Sequence, residues 1–166
     1  MHEHGASSSE IQRKRSHHMP SHYRQLLLMT VLSFIAMYVL MYAMVDRLDN
    51  ALPNLNQVYM AALMTSPMVL FEIVVMRGMY PNGRANLLLG AASVVIGILS
   101  FVAIRQQTLI HDRQFLRSMI PHHSGAILMC NEAGVADAEI QALCKRIVVS
   151  QQQEIDQMRT LLARLR

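Results

Sequence analysis

MIPHHSGAILMC, residues 119–130, is the stretch that decides how the second half of this chain folds. An α-helix has about 3.6 residues per turn, so one stripe of the helix holds these residues: Met119, His122 or His123, Ala126 and Met129. A stripe that served packing alone would carry only apolar side chains. Imidazole groups interrupt this one, which indicates a site that binds something.

A second stripe near the C-terminus has the same interruption, in Gln151, Glu154 and Met158. Between the two stripes, Gly134 is placed to be a left-handed C-cap residue and Asp137 to cap the next helix. The pattern therefore predicts two antiparallel helices with a turn near Val135, sharing one site.

Composition and length indicate a membrane protein with a modest polar extension. Of 166 residues, 52% are hydrophobic and only 16% are charged, and the apolar residues come in blocks. A net charge of +4, spread along the chain with no tryptophan, does not favour nucleic acid as a partner. Two cysteines make no disulfide framework. The sequence shows no nucleophile–base set or phosphate loop, so we expect no enzyme.

Three apolar runs predict transmembrane helices: Arg24–Val45, Val58–Met76 and Ala85–Ile104. About 20 apolar residues suffice to cross a hydrocarbon core of about 30 Å. We expect a disordered tail at 1–22, a three-helix membrane region at 23–104 and a helical-hairpin metal-binding domain at 105–166. No Gly or Pro lies between Ile98 and Ile120, which predicts that the third span continues as a stalk into the hairpin.

Basic residues predict the orientation. Among the short flanks of the spans, the loop between the first two spans has only Arg47. The N-terminal tail has more, and so does the loop between the second and third spans: Arg13, Lys14, Arg15 and Arg24 in the tail, and Arg77 and Arg84 in the loop. The positive-inside rule then places the N-terminus in the cytoplasm. We expect a multi-pass protein of a bacterial inner membrane, with its C-terminal domain periplasmic or extracellular.

The register of the hairpin follows from a turn centred near Val135. It sets His122 and His123 opposite Val148 and Ile147, Met119 level with Gln151, and Asp112 level with Met158. Adjacent helical residues point about 100° apart. One histidine can therefore bind within the hairpin while the other faces a partner subunit.

Thioether and imidazole together favour Cu(I), because these soft neutral ligands need no deprotonation. Zinc would want more thiolate or carboxylate. A di-iron site wants Glu-x-x-His pairs, and here Met119 stands three residues before His122.

Two blocks resemble a known family. Asp112-x-x-Phe115-x-x-x-Met119-Ile-Pro-His-His-x-Gly-Ala-Ile-x-Met129, followed by Ile147-x-x-x-Gln151-x-x-Glu154-Ile155-x-x-Met158, is similar to the domain-of-unknown-function family 305 over roughly residues 111–165. The resemblance implies a ferritin-like helical fold and copper binding, often in the periplasm. The ligands it implies are Met119, His122, His123, Met129 and Met158, supported by Asp112, Gln151 and Glu154. Ser124, Leu128 and Cys130 depart from the family pattern, and Cys130 would add a soft ligand.

A two-helix hairpin cannot bury its own apolar face well. We expect two hairpins to pair as a four-helix bundle, in a homodimer or larger homo-oligomer. The third span offers a face of small residues that lets helices approach closely: Gly90, Ser93, Gly97 and Ser100.

Three functions stay open at this point. The first is a membrane-anchored copper store or chaperone, with the lipid bilayer and the copper ion as partners. The second is a copper transporter whose path is lined by these methionines: Met37, Met41, Met60, Met64 and Met68. The third is a metal-free oligomerisation module.

Overall fold

Residues 21–165 are the part of the chain that the computed structural model describes, and they form five α-helices without a β-strand. The helices are α1 (Ser21–Leu40), α2 (Leu55–Val75), α3 (Gly83–Gln106), α4 (Asp112–Glu132) and α5 (Ala138–Arg164). Short 3₁₀ turns lie at Met41–Met44, Leu48–Asn50 and Arg77–Met79. The predicted all-α class is confirmed. Of the predicted tail at 1–22, residues 1–20 lie outside the described part of the chain.

Three segments, which hold α1, α2 and α3, are long and apolar enough to cross a membrane: His22–Met44, Leu55–Val75 and Gly83–Gln106. This confirms the three predicted apolar helices and is compatible with a multi-pass membrane protein. Asparagines cap two of them. Asn54 accepts a hydrogen bond from the Gln57 N–H at 3.0 Å, and Asn82 accepts from the Arg84 and Ala85 N–H groups at 3.1 Å. These side chains satisfy backbone donors that a helix start leaves unpaired.

The small-residue face of α3 packs against α2 within the same chain. Ser93 and Ser100 are buried, and the Ser93 hydroxyl donates to the Ser66 carbonyl. A Cβ atom added at Gly97 would lie 3.3 Å from the Ser66 Cβ. This face therefore brings two spans of one chain together, and it gives no support to an oligomer.

The predicted continuous stalk is wrong, because α3 ends at Gln106 and a new helix begins at Asp112. Gln107 and Leu109 adopt left-handed backbone with φ of 51° and 60°. The Gln107 side chain donates to the Ile104 carbonyl at 2.7 Å, and the Tyr59 hydroxyl donates to the Thr108 carbonyl at 2.9 Å. These bonds satisfy polar groups that the broken helix would otherwise leave free.

Helices α4 and α5 form the predicted antiparallel hairpin around one apolar core. The buried members of this core are Leu116, Ile120, Ile127, Ile155 and Met158. Asp137 caps α5 as predicted, accepting from the Glu139 and Ile140 N–H groups at 2.9 and 3.0 Å. The prediction for Gly134 is wrong. Helix α4 ends at Glu132, the next residue Ala133 has extended backbone, and Gly134 has no positive φ.

Candidate metal centre

His123 lies at the edge of the hairpin core and is 7% exposed. Its Nδ1 is 2.9 Å from the Met119 carbonyl oxygen, and its Nε2 is 2.7 Å from the Glu154 Oε2 atom. Both neighbours are hydrogen-bond acceptors, and a neutral imidazole has a single N–H to donate. A neutral ring therefore donates to one of them at a time, from Nδ1 to the Met119 carbonyl or from Nε2 to Glu154. A hydrogen bond from one ring nitrogen to a carbonyl is how proteins orient a ligating histidine.

Glu154 approaches His123 from α5, and its side chain is half exposed. The Ser150 hydroxyl donates to its second oxygen, Oε1, at 3.1 Å. Hydrogen bonds from His123, first, and from Ser150 hold the pKa of Glu154 below its ordinary value. Glu154 is thus an ionised carboxylate at neutral pH.

Two methionines accompany this pair, each one helical turn from one of its members. Met119 precedes His123 by four residues on α4, and Met158 follows Glu154 by four on α5. Met158 is buried in the hairpin core, and half-buried Met119 packs against that core. We call Met119, His123, Glu154 and Met158 the central quartet.

The register differs from the predicted one. His123 lies opposite Glu154 rather than Ile147, and this pairing sets Met119 level with Met158. Asp112 then lies about two turns away from the level of Met158. The turn produces the shift, because Ala133 is extended and Asp137 is still outside α5.

The other predicted site residues lie elsewhere. His122, Met129 and Asp112 are exposed, and Gln151 is half-buried. The rings of His122 and His123 are 6.3 Å apart, centroid to centroid, so the two histidines point in different directions as expected.

His122 and Met129 lie on an exposed surface of the hairpin. About 100° per residue places Phe115, His122 and Met129 along one stripe of α4, and all three are exposed. We call these three residues the outward face of the hairpin.

Residues 21–165 contain no assembled site of the kind that zinc or a di-iron centre uses. This part of the chain has no group of three or more His, Cys, Asp or Glu side chains that could hold a metal ion. Carboxylate, imidazole and thiolate are what zinc and di-iron sites use. A metal site at the central quartet would therefore have to include the methionine sulfurs.

Cys130 and Cys144 form a disulfide across the two helices, with their Cα atoms 5.2 Å apart. The prediction of Cys130 as an additional soft ligand is wrong for this structure, because its sulfur is bonded to Cys144. A signal was present, because the two cysteines flank the predicted turn of an antiparallel hairpin. Such a turn brings residues on its two sides together.

The opposite side of the hairpin docks on the loop between α1 and α2, and sequence reasoning missed this contact. Ser124 is fully buried. Its hydroxyl donates to the Asp46 carboxylate and accepts from the Asp46 N–H at 2.8 Å. Asn50 donates to the same carboxylate at 2.8 Å. Partners that are 78 residues apart in the chain leave no local pattern that could reveal them.

The docking extends to both ends of that loop. Arg159 of α5 donates to the Asn50 side chain at 2.7 Å and to the Asp49 carbonyl at 2.9 Å. A Cβ atom at Gly125 would lie 3.3 Å from the Met44 carbonyl oxygen. At the start of α4, Gln114 accepts from the Leu55 N–H at 3.1 Å. We call Gln114, Ser124, Gly125 and Arg159 the docked face.

Helices α1, α2 and α3 border a partly open apolar cavity of about 790 Å³, whose few polar groups include Thr30, Thr65 and Ser93. No methionine of the described residues lines it. Met60 and Met64, from the predicted methionine path, are exposed on α2.

The fold is that of an all-helical protein with three membrane-capable helices and a disulfide-closed hairpin. Residues 103–162 match the family described as Domain of unknown function (DUF305). The chain is 34% identical over 140 residues to Uncharacterized protein L153 of Acanthamoeba polyphaga mimivirus, covering 82% of this chain and 90% of that one. This alignment is longer than the matched domain, so it includes membrane helices. No solved structure matches the chain. The chain belongs to the DUF305 family.

Proposed function

We propose that this protein is a membrane-anchored Cu(I)-binding protein, a store or chaperone that holds copper on its helical hairpin. The observation that carries the proposal is the central quartet, in which a buried imidazole contacts Glu154 and two methionines lie level with each other one helical turn away. The family resemblance, which implies copper-binding relatives, supports the same function.

The donor chemistry of the quartet fits a soft monovalent ion. Met119, His123 and Met158 would hold it, because thioether and neutral imidazole bind without losing a proton. His123 would bind through Nε2, since its Nδ1 has the Met119 carbonyl as partner. Glu154, now 2.7 Å from Nε2, would give up this contact and could balance the charge of the ion. Gln151 and Asp112 would be supporting polar residues outside the quartet.

A non-cytoplasmic location of the hairpin is supported by two independent features. The Cys130–Cys144 disulfide is typical of oxidising compartments. Among the segments before and between the spans, the N-terminal tail and the loop between α2 and α3 have more basic residues than the loop between α1 and α2, which has only Arg47. We propose a bacterial inner-membrane protein with a cytoplasmic N-terminus and a periplasmic or extracellular hairpin.

A second copy of the chain would cover the outward face. Phe115 is 49% exposed and Met129 59% exposed, and apolar groups aligned at helical spacing favour a helical partner. Two hairpins joined through a two-fold axis would make a four-helix bundle. His122 and Met129 would then lie between the copies, where they could add ligands.

Cu(I) competition tests the proposal. The full-length protein in detergent, kept anaerobic with ascorbate, competes with a coloured Cu(I) chelator. We expect Met158→Leu to lower the Cu(I) affinity by about ten-fold or more, since one donor is lost with little change in volume. The matched control is Met60→Leu, an exposed methionine of α2, which should leave the affinity unchanged. Failure of the native protein to compete, or equal affinities of the two variants, would contradict a site in the quartet.

A metal-free oligomerisation module is the second candidate, and one observation favours it. His123 has an acceptor beside each ring nitrogen, and both quartet methionines pack on the hairpin core. A module of this kind would self-associate equally with and without Cu(I), and its association would not respond to Met158→Leu. Sedimentation in detergent at matched copper concentrations separates the two functions.

A further inference from the structure

The hairpin contains a second pair of sulfur donors, separate from the central quartet. Cys130 lies in the last turn of α4 and Cys144 in the second turn of α5. Both side chains are half-buried, so solvent reaches them. The docked face lies on the other side of the hairpin, which leaves the cysteines accessible to a reductant.

We propose that Cys130 and Cys144, when reduced, form a second Cu(I) site, and that oxidation of the pair to the disulfide removes this site. Two thiolates are the softest donors the chain offers, and they favour Cu(I). Zinc wants four ligands, and residues 21–165 hold no group of three His, Cys, Asp or Glu side chains that could complete such a sphere. Lys145 and Arg146 follow Cys144 directly and would offset the negative charge of a Cu(I) bis-thiolate.

The two sulfurs would stay neighbours after reduction because other contacts hold this end of the hairpin. The turn is tied by the Asp137 cap and by the Gln141 side chain, which donates to the Val135 carbonyl at 2.8 Å. Ile127 is buried in the core one turn before Cys130, and Val148 packs against that core one turn after Cys144. With Cα atoms 5.2 Å apart, a change of side-chain rotamer can open room for an ion between the sulfurs.

The redox step needs a dithiol as reductant. Its thiolate attacks one sulfur of the disulfide, and the second thiol then displaces the mixed disulfide. The reductant leaves as its own disulfide, and the protein gains two electrons and two protons as two thiols. Binding of Cu(I) releases both protons. Exchange with a disulfide of the same class re-forms the Cys130–Cys144 bond and frees the ion.

Titration of the full-length protein in both redox states tests the site. One sample in detergent is kept oxidised, and another is reduced with a phosphine that is then removed. Cu(I) is added anaerobically in competition with a coloured chelator. We expect the reduced protein to bind about one more equivalent of Cu(I) than the oxidised protein, with ultraviolet thiolate-to-copper absorption. Equal binding in the two states would overturn the proposal.

Two sets of variants identify the ligands. Cys144→Ser, which keeps one thiol, should lose the additional equivalent, and its retention would overturn the dithiolate site. The combined variant Met119→Leu, His123→Gln and Met158→Leu should keep the additional equivalent, because the cysteine pair does not depend on the central quartet. Loss of the additional equivalent of Cu(I) in this combined variant would show that the ion binds at the central quartet and not at the cysteines. Circular dichroism of each sample checks that the helices remain.

Discussion

The two faces of the hairpin differ in whether their side chains find contact partners within the same chain. On the docked face, Ser124 and Arg159 have hydrogen-bond partners in the loop between α1 and α2. On the outward face, Phe115 and Met129 are exposed on the same stripe of α4 as His122. Polar groups that are buried and paired fix one arrangement of a structure. The docked face therefore holds the hairpin in place, and the outward face is left for a partner or a ligand.

The largest effect on hairpin stability is expected from Ser124→Ala. The Asp46 N–H would lose its partner and the half-buried Asp46 carboxylate would keep only Asn50. A buried polar group left unsatisfied costs about 1–3 kcal/mol. Ser118→Ala is the matched control, because that hydroxyl bonds only to the Phe115 carbonyl of its own helix. Urea unfolding in detergent measures the stability, and hydrogen exchange of the Asp46 amide reports the contact itself. Similar losses in both variants would mean that the docked face does not fix the hairpin.

A smaller effect, confined to acid, is expected from Glu154→Gln. The pKa of Glu154 is lowered in the folded protein, so its bond to His123 adds stability above its ordinary pKa of 4.5. This contribution is lost as the pH falls through the lowered folded value. The native protein should therefore lose stability below about pH 4.5 relative to Glu154→Gln.

Unfolding at neutral pH and at about pH 3 measures this difference. The half-exposed carboxylate makes the effect small, and added salt should reduce it further. Glu139→Gln, an exposed carboxylate of α5, is the control. Parallel pH curves for native protein and Glu154→Gln would mean that the pair adds nothing to stability.

The smallest effect on the stability of a single hairpin is expected from Phe115→Ser. An exposed side chain with no special contact changes the free energy of unfolding by about 0.5 kcal/mol or less. Self-association should nevertheless fall, because the outward face would lose its largest apolar group. Sedimentation in detergent reports the association. A large loss of stability in the monomer would mean that this face is already packed within one chain.

Much of the fold could be predicted from the sequence, because it depends on local signals. Apolar runs located α1, α2 and α3 to within a few residues, and Asp137 marked the start of α5. The break between α3 and α4 could not be found in this way. Gln107 and Leu109 adopt left-handed backbone without being glycine, and the bonds that hold this turn include one from Tyr59, far away in the chain.

The candidate site was predictable in composition and not in arrangement. Periodicity singled out His123, Glu154 and both methionines of the quartet. Their pairing depended on the shape of the turn, and an error of about two helical turns put Ile147 in the place of Glu154. Ser124 looked like a departure from a family pattern, yet it joins the hairpin to a distant loop. Long-range hydrogen bonds of this kind have no signature in spacing.

The fold-back at Gln107–His111 determines how the protein meets other molecules. A straight extension of α3 would have carried the far end of α4 about 30 Å further from the apolar helices. Instead, the beginning of α4 contacts Leu55 and a later part contacts Asp46, so α4 lies across the ends of these helices. In the proposed membrane location, hairpins would therefore meet only when their molecules diffuse side by side in one bilayer, and a soluble partner would have to approach the lipid surface.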